Sequence, residues 1–325
     1  MKILIIQTAF IGDVVLATPL VEKLKQFHPD ATIDFLVRKG NEKLLANNRH
    51  LRQVLVFDKK QGKYRNAFSL IRQFRGERYD LVVNVQRFFT TGLITVLSGA
   101  RRTVGFDKNP LSFWFSKAIK HSYDGSSAEH HEVKRNLKLI ADITDDRMIR
   151  PRIYPSAVDF EKVSTDQSYV TMAPASVWFT KQFPEHKWVE LISKIPAHLK
   201  IFLLGGPGDA ELCQRIAAQT THPGIDILAG KLSFLESAAL MKGAVMNYVN
   251  DSGPMHFASA VNAPVTAFYC STIPGFGFGP LSDQSFIAEI DFKLDCRPCG
   301  IHGYKACPKG HFKCSEIEVD KVVVF

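Results

Sequence analysis

A chain of 325 residues exceeds one typical domain, and its length alone predicts two α/β domains of roughly 150 residues each. Apolar residues make up 46% and charged residues 22%, a balance that excludes a disordered chain, and no apolar run is long enough to span a bilayer. The 41 lysines and arginines exceed the 32 aspartates and glutamates by nine. That excess favours acidic partners or an anionic membrane face, and its scatter along the chain argues against nucleic acid.

Lys2 followed by Ile3-Leu4-Ile5-Ile6 imitates a signal peptide, but Gly12-Asp13 interrupts the apolar run and no small-residue cleavage pattern follows. A buried strand entering a helix is the better account, so the chain is expected to stay in the cytoplasm. The first half then alternates strand and helix patterns: Lys2–Ile6 and Val14–Phe27, Thr32–Val37 and Glu42–Asn47, Val54–Phe57 and Asn66–Arg75, Leu81–Asn84 and Thr91–Leu97. An amphipathic helix is expected over Glu129–Ile140, and the polar stretch Thr144–Ser168 with Pro151 and Pro155 reads as the linker. The rhythm restarts with strands at Tyr169–Ala173, Lys200–Leu204, Ile225–Leu228, Ala244–Val249 and Val265–Tyr269, the last expected to close the sheet. Helices over Trp188–Lys194, Ala210–Thr220, Phe234–Lys242 and Met255–Val261 separate them. Alternation of this kind makes parallel sheets covered on both faces, here two Rossmann-like halves that would enclose a cleft at the carboxyl ends of their strands.

Four loops at predicted strand ends carry the chemistry. In the first, Gly12 and Asp13 open a helix. Gly12 can make the turn, and Asp13 suits the helix dipole while remaining available as a general base. In the second, Ser176, Thr180 and Lys181 sit beside aromatic residues and form a set of donors for a diphosphate. In the third, Gly205 and Gly206 would admit a ribose or base, with Asp209 or Glu211 accepting from the ribose hydroxyls. The fourth, Asp251-Ser252-Gly253-Pro254-Met255-His256, reads as a strand emptying into a helix N-terminus. There Asp251 or Ser252 can cap, Gly253 permits close approach, and unpaired N–H groups attract phosphate. His256 is either a neutral core histidine or a donor to phosphate oxygens.

These residues, together with Val14 to Pro19, Arg102-Thr103-Val104-Gly105-Phe106, His131 to Leu137, Lys181-Gln182-Phe183-Pro184, Asn250 and Gly279-Pro280, resemble glycosyltransferase family 9. This is the family of the ADP-heptose:lipopolysaccharide heptosyltransferases, and among them the chain is most similar to the heptosyltransferase II type. The resemblance spans most of the chain. It implies a GT-B fold, with an acceptor-binding domain over 1–155, a nucleotide-sugar-binding domain over 165–292, and a Cys-rich segment over 293–325. It also implies inverting transfer of heptose from ADP-L-glycero-D-manno-heptose to the lipopolysaccharide inner core. Asp13 becomes the general base, Lys181 the diphosphate partner, and Asp251, Ser252, Gly253 and His256 part of the donor site. Asp251 would be repelled by phosphate, so it is expected to cap the helix or hold neighbouring groups. No cofactor is required in this scheme, because Lys181 and a helix N-terminus can stabilise the departing diphosphate.

An acidic, membrane-embedded acceptor suits Gly12 and the basic residues Lys59, Lys60, Lys63 and Arg65, although a solvated turn is the simpler account of that loop. Phe106, Trp114 and Phe115 could pack inside or lean on the inner face of the cytoplasmic membrane. Cys296, Cys299, Cys307 and Cys314 form C-x2-C-x7-C-x6-C, open to three readings: a structural zinc site, packed free thiols, or disulfides. Glu316–Phe325 leaves room for only a brief final element, where GT-B folds commonly end in a bracing helix. A nucleotide-sugar epimerase of the same fold and a noncatalytic nucleotide-binding module are the competing functions.

Overall fold

The computed structural model describes residues 1–122 and 130–322. Two compact units emerge, Met1–Tyr154 and Pro155–Phe325, so the junction falls at the start of the expected linker's second half. The Cys-rich segment belongs to the second unit instead of standing apart.

The first unit is a parallel six-stranded sheet of order β3-β2-β1-β4-β5-β6. Strand β1 (Lys2–Ile6) lies at its centre with Ile3 to Ile6 wholly buried, as an unbroken apolar run requires when both faces of a sheet are covered. Around it are β2 (Thr32–Arg38), β3 (Gln53–Phe57) and β4 (Leu81–Asn84), with β5 (Arg102–Phe106) and β6 (Lys117–Ile119) beyond. The last two were not expected: β5 is broken by polar residues and glycine, and β6 has three residues, too few to show a period. Helix α1 (Ile11–Phe27) follows β1. Helix α2 (Lys63–Glu77) sets Ala67, Leu70, Ile71 and Phe74 against Leu4, Ile6, Leu36 and Phe57, the i, i+3, i+4, i+7 face of an amphipathic helix. Helix α3 (Phe89–Leu97) completes the cover.

Glu42–Leu45 is a single 3-10 turn where a longer helix was expected. Helix α4 (Glu132–Leu137) is shorter than predicted at both ends: His131 accepts from the Val133 N–H and fixes its start, and Glu129 lies outside the described residues. Of the aromatic run, Phe106 and Phe115 are buried, while Phe113 and Trp114 are exposed with ring centroids 4.3 Å apart.

The second unit begins with α5 (Ala157–Lys162), a helix inside the expected linker, nucleated by reciprocal capping between Ser156 and Asp159. Its sheet has the order β12-β11-β10-β7-β8-β9, built from β7 (Tyr169–Ala173), β8 (Lys200–Leu203), β9 (Ile225–Ile227), β10 (Met246–Asn250), β11 (Val265–Phe268) and β12 (Ser285–Ala288). Val265–Phe268 therefore does not close the sheet; β12 pairs outside it in parallel register. Helices α6 (Glu185–Lys194), α7 (Ala210–Ala218), α8 (Phe234–Gly243) and α9 (Gly253–Val261) alternate with the strands. Cys314, Ile317, Val319 and Val322 join Trp188 and Phe268 in the core. Residues 323–325 of the expected final element lie outside the described residues.

Each unit thus repeats the strand order 3-2-1-4-5-6, which reverses between its first and fourth strands. Ligands of open α/β sheets bind beyond the carboxyl ends of the strands at that reversal. Among the described residues, no helix is long and apolar enough to cross a membrane.

Candidate active site

In the first unit the reversal lies between β1 and β4, and the turn leaving β1 carries Asp13. Gly12 is helical, not a left-handed turn residue, and stands in the first turn of α1. Asp13 follows at the third helical position, where its Oδ2 accepts the Phe10 N–H at 3.1 Å. A helix N-terminus and nearby Arg38 favour the carboxylate. Burial opposes them more strongly, the charge of Glu132 adds to it, and the carboxyl is pushed up to about 6. Glu132 is itself buried and held by Arg135 Nε and Nη2 at 2.9 and 2.6 Å. Asn136 ties α4 to α1 by donating to the Leu16 carbonyl at 3.2 Å.

Cations gather at the same edge of the sheet. Arg38, at the end of β2, lies over the exposed Phe10 ring at 4.9 Å. Lys59 turns inward and donates to the Thr8 carbonyl at 2.7 Å; burial, then the charges of Arg38 and Lys63, push its amine down to about 8. Lys60 and Arg65 are exposed, further out.

In the second unit the reversal lies between β7 and β10, and one ion pair spans it. Lys181 Nζ, from the loop after β7, meets Asp251 Oδ2, just beyond β10, at 2.7 Å, both side chains nearly buried. Thr272 Oγ1 donates to the same Asp251 oxygen at 2.7 Å. Asn250 clamps the Lys181 loop: its Oδ1 accepts the Phe183 N–H at 2.9 Å and its Nδ2 donates to the Pro174 carbonyl at 2.8 Å. Asp251 therefore holds a neighbour instead of capping α9. Ser252 occupies the N-cap but makes no side-chain cap, its Oγ donating to the Asn250 carbonyl at 3.3 Å. Gly253 and Pro254 form the first helical positions, and His256 is buried one turn in.

The other expected donor-site residues have local work. Ser176 is half-buried in the same loop as Lys181, and its carbonyl accepts from Gln182 Nε2 at 2.7 Å. Thr180 is buried, and its hydroxyl accepts the Tyr304 N–H at 2.8 Å and lies 3.0 Å from Ser271 Oγ. It faces the Cys-rich segment, a correction to its expected role as a diphosphate donor. Asp209 closes its own turn by accepting the Gly206 N–H at 2.7 Å. A Cβ on Gly205 would stand 2.7 Å from the Asp209 Cβ, so glycine is needed there for packing. Glu211 is exposed and pairs with Arg215 at 3.2 Å.

Among the described residues, no three His, Cys, Asp or Glu side chains are placed to hold one ion. Cys296 Sγ stands 3.7 Å from His311 Nε2, Cys299 Sγ donates to the Cys296 carbonyl at 3.0 Å, and Cys314 is buried in the core. All six cysteines stand as free thiols, with no disulfide between them. The segment instead braces the site. The Thr180 N–H donates to the Tyr304 carbonyl at 3.1 Å while the Thr180 hydroxyl accepts the Tyr304 N–H, the Cys299 N–H donates to the Ser271 carbonyl at 2.9 Å, and Arg297 donates to the carbonyls of Tyr269, Cys270 and Thr272.

Arg38, Glu132, Asn250 and Thr272 acquire roles that spacing did not reveal. Arg38 becomes visible only once β2 is known to lie beside β1. Asn250, an amide ending an apolar strand, was the clearest available signal.

Residues 67–300 match the sequence model of glycosyltransferase family 9 (heptosyltransferase). The chain is 28% identical over 280 residues to lipopolysaccharide heptosyltransferase 3 of Escherichia coli, covering 81% of this chain and 82% of that one. It is 21% identical to lipopolysaccharide heptosyltransferase 2 of E. coli K12, over 89% of this chain and 88% of that one, so the comparisons do not single out the type II resemblance. By structure it is similar to the E. coli ADP-heptose lps heptosyltransferase II, with a TM-score of 0.76, 21% identity, and coverage of 92% and 96% of the two chains. That likeness shows a GT-B fold with two Rossmann-like units. On the family match, this chain belongs to glycosyltransferase family 9, the heptosyltransferases, and is a heptose-transferring enzyme of lipopolysaccharide core biosynthesis.

Proposed function

We propose that the enzyme moves heptose from ADP-L-glycero-D-manno-heptose, with inversion, onto an inner-core sugar of lipopolysaccharide. Asp13 takes the acceptor hydroxyl's proton. The observation that carries this reading is a half-buried carboxylate at a sheet reversal, raised to about 6, where a general base works efficiently near neutral pH. Lys181 and the α9 N-terminus stabilise the negative charge that develops on the departing ADP. The solved E. coli heptosyltransferase WaaC with ADP supports this choice of nucleotide; it has a TM-score of 0.74 and 20% identity, and 88% of this chain and 92% of that one are covered. Arg38, Lys59 and Lys63 suit the carboxylates and phosphates of an acidic acceptor. Because Lys181 and the helix dipole supply positive charge, transfer is expected to continue in EDTA.

Calorimetric titration with ADP, UDP, GDP and ADP-heptose tests the donor. Preference for the adenine nucleotides is expected, and preference for UDP or GDP overturns it. A transfer assay on Kdo-lipid A bearing the preceding core sugar tests the acceptor; turnover of the donor alone to an isomer would establish an epimerase instead.

The pH profile gives a further expected result. Asp13 must be ionised, so kcat/KM should rise with pH through about 6. Lys59 must be charged to meet an anionic acceptor, so kcat/KM should fall as pH rises through about 8. Glu132→Gln removes one of the causes that raise Asp13 and should move the acidic limb to lower pH. An unmoved limb would sever Glu132 from the base.

A further inference from the structure

We propose that the outer face of α2 is a docking surface for an anionic phospholipid bilayer. From Lys59 to Gly76 the chain carries six basic residues, Lys59, Lys60, Lys63, Arg65, Arg72 and Arg75, and no acidic one. The inner face of α2 is fully used, with Ala67, Leu70, Ile71 and Phe74 buried in the core of the unit. On its outer face Tyr64 and Phe68 are 59% and 58% exposed. Their i, i+4 spacing stacks them one above the other, and Arg72 continues the stripe at i+8. Neither ring packs the fold. Arg65, next to Tyr64 in sequence, and Lys60, in the turn before the helix, are exposed.

This combination matches the chemistry of a bilayer interface. Aromatic rings settle at the headgroup level, and basic side chains are drawn to a negative leaflet. A single-stranded nucleic acid would also meet basic and aromatic groups, but it is bound in a groove that tracks its backbone. The outside of one helix is convex and offers no such track. The face begins at the sheet edge that carries Lys59 and Asp13, so docking would present that edge to a lipid-anchored acceptor. The inference itself rests on α2 and the basic turn that leads into it, and is independent of the donor and acceptor assignments.

The test is flotation of the whole protein, without sugar substrates, on vesicles of phosphatidylglycerol and phosphatidylethanolamine, with phosphatidylcholine vesicles as the neutral comparison. The wild type should float with the anionic vesicles and not the neutral ones. Two variants divide the contributions: Tyr64→Ser with Phe68→Ser, and Lys60→Gln with Arg65→Gln and Arg72→Gln. All five positions are exposed, and unchanged melting curves would establish that both variants fold. Each should weaken partitioning at least tenfold, the charge variant also flattening its salt dependence. Anionic binding that survives both variants would overturn the proposal. So would equal binding to neutral vesicles, or capture by polyuridylate RNA without vesicle binding. None of these outcomes depends on whether heptose is transferred.

Discussion

Asp13→Asn should abolish turnover while leaving ADP binding intact and raising the melting temperature. General-base removal costs about 10²–10⁴ in rate, and the amide cannot take the acceptor proton. The stability gain follows from the direction of the shift. The folded carboxyl titrates near 6 against an ordinary 3.8. The folded state therefore binds more protons between those values, and stability is lost as pH rises through that window. Above it the charged group continues to destabilise the fold, by at most about 3 kcal/mol at pH 7 for a shift of about two units, less where solvent screens it. The asparagine variant lacks that charge, so its advantage in melting temperature should grow from pH 4 to pH 7 and then level off. Retained turnover would remove Asp13 as the base. Lost turnover without the pH-dependent gain would show that the carboxylate is more solvated than its burial implies.

Lys181→Met should be nearly as damaging, for two separable reasons. The lysine is the charge proposed to meet the diphosphate, and it also neutralises a buried Asp251 at 2.7 Å. Breaking such a pair from one side leaves an uncompensated charge, at a cost of about 3–5 kcal/mol. Both the melting temperature and ADP affinity should therefore fall. Adding Asp251→Asn removes the orphaned carboxylate while keeping an acceptor for the Thr272 hydroxyl. The double variant should recover most of the stability and none of the transferase activity. Recovery of activity would mean that Lys181 only neutralises Asp251. Failure to recover stability would place the damage in the loop held by Asn250.

The chain's organisation was legible because buried parallel strands announce themselves. The apolar blocks at β1, β4 and β7 and the helical spacing of α2 and α7 sit close to their expected limits. What escaped were elements whose stability comes from their neighbours. Strand β6 has three residues, and β12 pairs only with β11 at the edge of its sheet. The site divided in the same way. Asp13, Lys181 and Asp251 were visible as polar residues at strand ends. Glu132, however, reaches Asp13 from far along the chain through the packing of α4 on α1. Thr180 misled because its hydroxyl is consumed by a segment more than a hundred positions away, a contact that no local pattern encodes.

That contact changes how the end of the chain should be regarded. Tyr304, Cys299 and Arg297 hydrogen-bond the loops after β7 and β11, which carry Lys181 and Thr272, the hydroxyl partner of Asp251, so both sides of the ion pair are held through the Cys-rich segment. Removing the chain beyond residue 292 would strip hydrogen bonds from Thr180, Ser271 and the carbonyls of Tyr269, Cys270 and Thr272, each buried group left unmet costing about 1–3 kcal/mol. The segment is therefore not an appendage whose loss spares the Lys181–Asp251 pair. A disturbance of the Arg297 side chain or of the backbone at Cys299 would therefore be felt at Lys181 through the loops they hold, without any contact to the ion pair.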